Sequence, residues 1–146
     1  MDLLARRANW WFAAIVVEKS KVDHVLRDES VFYAKFGSMA LRFVLRGRWT
    51  RTSTGVLAFT DTLPMKKRRE SVKAAFKRVC RQELDQPFNL YHHPRNSNGW
   101  LQVVDYCCWA VQRKWARHDL RTYDQLAHRL ATPELDVLRR GDTHYY

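Results

Sequence analysis

The fold is decided by the stretch Val56-Leu57-Ala58-Phe59-Thr60-Asp61-Thr62-Leu63-Pro64 and by the helical pattern that follows it. The residues from Val56 to Thr60 are apolar or β-favouring, which predicts a strand. Pro64 suits the first turn of a helix, and apolar residues recur after it at helical spacing as far as Leu84. A strand that leads into a long helix is the repeating unit of an α/β fold.

The same alternation of strand and helix recurs on both sides of this stretch. Upstream, the apolar run Trp10–Val17 predicts a first strand, and the pattern from Glu29 to Arg46 predicts a helix that stops at Gly47. Downstream, Phe88–Tyr91 predicts a third strand. The expected fold class is therefore α/β, with three parallel strands alternating with helices. Two further helices and a tail that packs on the domain are expected over Asp2–Ala8, Tyr123–Leu130 and Pro133–Tyr146.

A second informative segment carries Asp105 on an apolar helix. Ser97 or Asn98 is the expected N-cap, and the helix should run through Trp109 toward Lys114. Asp105 then lies about two turns in, where the helix dipole no longer acts on it. A carboxylate among apolar neighbours needs a strong partner or a bound cation. It is either a structural residue paired with an Arg or backbone amides, or part of a site.

Two other carboxylates could join Asp105 in a metal site. Asp61 follows a predicted strand at the end where α/β sheets bind their ligands, and Glu18 follows the first predicted strand. Mg²⁺ or Mn²⁺ bound by oxygen ligands is the cofactor that such a set predicts. The alternative is that Asp61 and Glu18 are ordinary turn or capping residues.

The charge of the chain favours a polyanionic partner. The 146 residues contain 26 Lys and Arg against 15 Asp and Glu, which gives a formal charge of +11. Four cations, Lys66, Lys67, Arg68 and Arg69, fall in the first turns of a predicted helix, where they oppose its dipole. A phosphate-binding role would explain them, and nucleic acid is the expected partner. A solvated face is the alternative, as it is for a second cluster at Arg42, Arg46, Arg48 and Arg51.

Cysteine usage and hydropathy predict where the protein works. Cys80, Cys107 and Cys108 are odd in number, and the adjacent pair could not bridge without strain, which favours a reducing compartment. No stretch of the sequence reaches the roughly 18 apolar residues of a membrane span. The expectation is a cytoplasmic protein without a membrane partner, forming one domain over its 146 residues.

With these residues considered, the chain resembles the bacterial family called domain of unknown function 3800, whose members are similar to ribonuclease H. The resemblance lies in Val56–Asp61, in Ser97–Asn98 followed by Leu101–Tyr106, and in Ala110–Trp115. It implies a ribonuclease-H-like sheet with Asp61 at a strand end and Asp105 on the last helix as catalytic, metal-binding acids. A metal-dependent nuclease or phosphoryl-transfer enzyme is the implied activity.

The chain departs from the family at its beginning. Family members open with a strand that carries an Asp-Glu-Ser-Gly-like motif, and Asp28-Glu29-Ser30 only mimics it, because it lies at a predicted helix start and suits a cap. The chain is therefore expected to be an N-terminally truncated domain that lacks the first hairpin and is inactive in isolation. The alternatives are a non-catalytic basic nucleic-acid-binding module and a fragment without activity, and exposed strand edges would favour a homo-oligomer.

Overall fold

The computed structural model describes residues 9–47, 50, 52–61 and 66–139. These residues form a mixed α and β structure with short parallel sheets. Its strands and helices, in chain order, are β1 (Ile15–Val16), α1 (Glu29–Phe32), α2 (Ser38–Leu45), β2 (Val56–Asp61), α3 (Lys66–Glu83), β3 (Phe88–His93), α4 (Gly99–Arg117), α5 (Arg121–Leu126) and β4 (Leu135–Asp136). Short 3-10 turns lie at Lys19–Lys21, His24–Arg27, Arg95–Ser97 and Ala127–Arg129. The helix expected over Asp2–Ala8 falls outside the described residues.

The chain divides into two compact units. The sheet unit contains the described residues of 17–93 together with 136–139, and it holds α1 to α3 with β2 and β3. The helical unit contains residues 9–16 and 94–135, and it holds α4 and α5. Each unit has a buried apolar cluster of its own. The expectation of one domain stays a prediction.

The sheet unit is built on a strand, a helix and a second strand. β2 and β3 pair in parallel from Val56 opposite Phe88 to Asp61 opposite His93, and α3 connects them. Side chains alternate between the two faces of a strand, and Val56 and Phe88 pack on the buried cluster that includes Val79 on α3. The strands predicted at Val56 and Phe88 are confirmed, and each continues one or two residues further than expected.

The helix expected from Glu29 to Arg46 is interrupted. A π-helical turn at Tyr33–Gly37 separates α1 from α2. Gly37 lies against α3 at this turn, where a Cβ atom would come within 2.8 Å of Cζ of Phe76. The segment beginning at Asp28 is a cap, as predicted, because the Asp28 carboxylate accepts hydrogen bonds from the backbone amides of Ser30 and Val31.

The helical unit is organised around α4. Asn98 caps this helix by accepting a hydrogen bond from the Trp100 amide at 2.9 Å, which confirms the predicted start. The helix ends at Arg117 and is followed by His118, whose backbone is left-handed with φ of 53°. One side of α4 is buried, and it packs with α5 and the segment before β1 in a cluster of Val103, Cys107, Ala110 and Leu126 with Trp10, Phe12 and Tyr106.

The first predicted strand is wrong in its extent, and it does not join β2 and β3 in one sheet. Within Trp10–Val17 the structure forms a single parallel bridge at Phe12 and the two-residue strand β1. β1 pairs with β4, and the Leu135 amide donates to the Ala14 carbonyl at 3.0 Å, so the described residues do not form a three-stranded sheet. An apolar run indicates burial, but it does not identify the pairing partner. The helix expected over Tyr123–Leu130 is also shorter, because α5 gives way to a 3-10 turn.

Candidate nucleic-acid interface

Polar side chains gather at the carboxyl ends of β2 and β3. Asp61 lies opposite His93 in the strand register, and Thr60 lies opposite His92. A hydrogen bond of 2.6 Å joins Thr60 Oγ1 to His92 Nδ1, while the buried Nε2 of His92 has no partner among the described residues. The carboxyl edge of a parallel pair, beside the helix that connects it, is where open α/β sheets bind ligands.

A row of cations on α3 acts on this edge. Arg69, Lys73 and Lys77, which we call the cationic row, are exposed and follow one another at intervals of four residues. Four residues of helix advance about 6 Å, so the three charges form a stripe along one side of α3. Burial lowers the pKa of His92 below its usual value, and the positive charges of the cationic row lower it further. His92 is therefore a neutral group beside a positive surface.

The cationic row differs from the arginines that precede it in the chain. Arg42 and Arg46 donate to the Glu83 carboxylate at 2.9 and 2.8 Å, so this part of the second predicted cluster is held by a carboxylate. No ion pair links Arg69, Lys73 or Lys77 to another of the described residues. Their charges therefore remain available to an anion from outside the chain. Arg48 and Arg51 lie outside the described residues.

The cations predicted to contact phosphate begin α3. Lys66, Lys67 and Arg68 form its first turn, followed by Arg69, and Pro64 falls outside the described residues. Over its 18 residues, whose sequence is KKRRESVKAAFKRVCRQE, α3 carries basic side chains far in excess of its two glutamates. Sequence reasoning named the initial run and missed Lys73 and Lys77. Their positions four and eight residues after Arg69, on the same side of a helix, were the signal that could have found them.

Asp105 lies on the exposed side of α4, so the premise that it is a carboxylate enclosed by apolar neighbours is wrong. It belongs to an open depression lined by Gln102, Tyr106, Cys108, Trp109 and Gln112. The expectation failed because α4 is apolar around most of its circumference, so apolar neighbours in sequence do not imply burial. Desolvation and the nearby Asp105 carboxylate raise the pKa of the Cys108 thiol.

Glu18 is engaged locally. It follows β1 and forms a salt bridge of 3.1 Å with Lys21. The hydrogen bond from Ser20, and then the one from Lys21, lower the pKa of the Glu18 carboxyl below its usual value. These contacts are those of a half-buried turn residue, and an ordinary turn residue was the alternative interpretation from the sequence.

The described residues do not bring together a set of metal ligands. Within the described ranges, no three His, Cys, Asp or Glu side chains form a group that could hold an ion. Asp61 belongs to the sheet unit and Asp105 to the helical unit, so a site shared between them stays a prediction. Among the described residues, the several oxygen ligands that Mg²⁺ or Mn²⁺ would need are therefore not assembled.

The second feature of the sheet unit is its open face. Because Val56 and Phe88 face the buried cluster, the alternate residues Leu57, Phe59 and Tyr91 face the other way. They are 63%, 42% and 41% exposed. The rings of Phe59 and Tyr91 are stacked, with centroids 5.2 Å apart and planes inclined by 19°. Sequence reasoning missed this pair, although the alternation of the strands could have indicated it.

No family model, curated protein or solved structure matches the chain. The resemblance to domain of unknown function 3800 therefore stays an expectation. Among the helices of the described residues, none combines the length and the apolar character needed to cross a bilayer.

Proposed function

We propose that the chain is a nucleic-acid-binding module that holds the phosphate backbone through α3. The observation that carries the proposal is the cationic row, whose three exposed charges form no ion pair with the described residues. Lys66, Lys67 and Arg68 precede the cationic row in the sequence of the same helix. Proteins that neutralise phosphates in this way release counterions, so their affinity falls steeply with salt.

A salt titration tests this proposal. Two proteins are compared, the wild-type chain and a triple variant with Arg69→Gln, Lys73→Gln and Lys77→Gln. Fluorescence anisotropy measures the affinity of each for a fluorescein-labelled oligothymidylate of about 20 nucleotides at several salt concentrations. The slope of log Kd against log salt should fall by about 2 in the variant, because three charges have been removed. The control Lys19→Gln, Lys35→Gln, Arg117→Gln removes the same charge from exposed positions elsewhere and should retain the wild-type slope. Equal losses in the two variants would contradict a role for α3.

The initial run of α3 is tested in the same titration. Replacement of Lys66, Lys67, Arg68 and Arg69 by Ala should flatten the salt dependence further than the loss of Arg69 alone, because four positive charges are removed together. A slope that this substitution leaves unchanged would make the run an ordinary solvated helix start.

The second candidate is that the chain is part of a ribonuclease-H-like, metal-dependent nuclease or phosphoryl-transfer domain. It is favoured by the position of Asp61 at the carboxyl end of β2, parallel to β3. With Asp61 and Asp105 as its assigned acids, the isolated chain is expected not to cleave DNA or RNA in Mg²⁺ or Mn²⁺. Cleavage that disappears in Asp105→Asn would overturn this expectation. The thiols of Cys80, Cys107 and Cys108 are free, which favours the cytoplasm as the proposed location.

A further inference from the structure

We propose that the open face of β2 and β3 is a stacking platform for the bases of a single-stranded nucleic acid, with Phe59 and Tyr91 as its two rings. This inference rests on the proposed function and gives it a substrate class. The rings stack on each other at 5.2 Å and both are substantially exposed, so aromatic surface is presented to solvent. Unpaired bases stack on such rings, whereas the bases of a duplex are already stacked on one another.

The platform continues to the end of the strands through a third ring. The imidazole of His93 lies 5.8 Å from Phe59 and 6.1 Å from Tyr91, measured between ring centroids. His93 is the last residue of β3 and faces Asp61 in the register. The aromatic surface therefore runs along β3 toward the carboxyl edge of the sheet.

Phosphate-binding charge is close to that same edge. α3 begins at Lys66, five residues after Asp61 at the end of β2, so the first residue of the helix is within about 18 Å of the edge. The cationic row acts on His92, which also lies at this end of β3. A single strand offers phosphates and unpaired bases together. The sheet unit carries its cations on the α3 side and its aromatic rings on the opposite side, so a single strand that used both would pass around the carboxyl edge. This charge complementarity identifies the occupant.

The same chemistry argues against two other occupants. A second copy of the chain would bring another formal charge of +11 to the surface, and this repulsion opposes self-association. A partner protein with a wholly apolar surface would fit the open face poorly, because the polar residues Asn89 and Asp61 alternate with the rings on this face.

The test compares a single strand with a duplex. Fluorescence anisotropy measures the binding of two labelled ligands, an oligothymidylate and a duplex of equal length. The proteins compared are the wild type and a double variant that carries both Phe59→Leu and Tyr91→Leu. The double variant keeps apolar surface on this face and removes both rings. The variant should bind the single strand about 5- to 150-fold more weakly, with the salt slope and the duplex affinity unchanged. Phe59→Tyr retains the ring and should lose much less affinity for the single strand than the double variant does. Leu57→Ala removes apolar surface from the same face without removing a ring, and it should bind like wild type.

The outcomes separate this inference from the proposed function. Wild-type affinity for the single strand in Phe59→Leu, Tyr91→Leu would overturn the platform and leave binding through α3 in place. Absence of wild-type binding to either nucleic acid would overturn both. Light scattering on the same samples measures the oligomeric state. If the wild type is a dimer and the double variant is a monomer, the face is an interface between copies of the chain, and the platform proposal is overturned.

Discussion

The two long helices, α3 and α4, bury similar apolar stripes and present opposite chemistry to solvent. α3 buries Val72, Val79 and Cys80 and exposes the cationic row. α4 buries a comparable stripe that includes Leu101 and Cys107, yet it exposes Trp100, Val104 and Trp109. The buried stripe of each helix is explained by packing in its own unit. The exposed faces differ in what they can bind, and they are therefore where the function of each helix is to be sought.

The largest expected effect separates the buried and exposed sides of the helical unit. Leu126 on α5 is 1% exposed and packs with the buried side of α4, whereas Val104 on α4 is 55% exposed. Leu126→Ala should lower the free energy of unfolding by about 2–5 kcal/mol because it leaves a cavity. Val104→Ala should change it by less than about 0.5 kcal/mol. Urea unfolding followed by circular dichroism measures both, and comparable losses would mean that the exposed face of α4 is also packed.

A smaller effect is expected where α3 meets the π-helical turn. Gly37→Ala places a Cβ atom 2.8 Å from Phe76 Cζ, so one of the two must shift. The expected loss is about 1–3 kcal/mol, which exceeds the gain of about 1 kcal/mol from replacing Gly by Ala within a helix. In the Phe76→Leu background the same substitution should cost less. Equal costs in the two backgrounds, measured by a double-mutant cycle, would show that the ring is not the obstacle.

The start of α4 supplies the next prediction. Asn98→Ala removes the side-chain oxygen that accepts the Trp100 amide, and it should reduce stability by about 1 kcal/mol. Asn98→Ser keeps a capping oxygen and should restore most of the loss. A loss in Asn98→Ser as large as in Asn98→Ala would assign the effect to contacts other than the cap. The measurement is the shift of the denaturation midpoint in urea.

The smallest effect on stability at neutral pH is expected from Glu83 at the end of α3. The contribution of its carboxylate to stability changes with pH. Arg46, with a smaller contribution from Arg42, lowers the pKa of the Glu83 carboxyl below its usual value of 4.5. A lowered folded-state pKa contributes stability above the unfolded pKa, and this contribution is lost as the pH falls through the folded pKa. Glu83→Gln should therefore flatten the decline of Tm below about pH 4.5. A variant that declines as steeply as wild type would exclude Glu83 as the titrating group.

The matching contact at the end of α4 sharpens the comparison. Hydrogen bonds from Arg121 and then from Arg113 hold the pKa of Asp119 well below its usual value of 3.8. The stability from this carboxylate is also present above the unfolded pKa, but it is retained to lower pH than that from Glu83. Asp119→Asn should therefore alter the Tm profile at more acidic pH. Measurements of Tm from pH 2 to 7 distinguish the two variants. Coincident Tm profiles would contradict the expectation that the contribution of Asp119 is lost at lower pH than that of Glu83.

Local signals in the sequence predicted much of the secondary structure. The cap at Asn98, the strands beginning at Val56 and Phe88, and most of α3 follow from turn chemistry and hydrophobic periodicity, which act over a few residues. The pairing of β1 with β4 could not be predicted in this way, because it joins segments far apart in the chain.

The candidate site was predicted less completely than the secondary structure. The basic run at the start of α3 is a local pattern, so its residues could be named from the sequence. Phe59 and Tyr91 come from different strands, and their stacking depends on a register that sets them opposite each other. Asp105 was misjudged because its exposure depends on which side of α4 the rest of the helical unit covers.

The division of the helical unit between two distant segments has a consequence for the order of folding. Arg129 Nη1 donates to the Trp10 carbonyl across 119 positions, and the whole described sheet unit up to β3 lies between them. Closing a flexible loop of that length costs about 4 kcal/mol in chain entropy by the logarithmic relation, whereas β2 and β3 are joined by a single helix. The sheet unit therefore has the lower contact order and is expected to form early. Once the sheet unit has folded, the effective loop between the two segments of the helical unit is shorter. The segment around Phe12 can then pair with the segment around Leu130 at a lower cost in chain entropy.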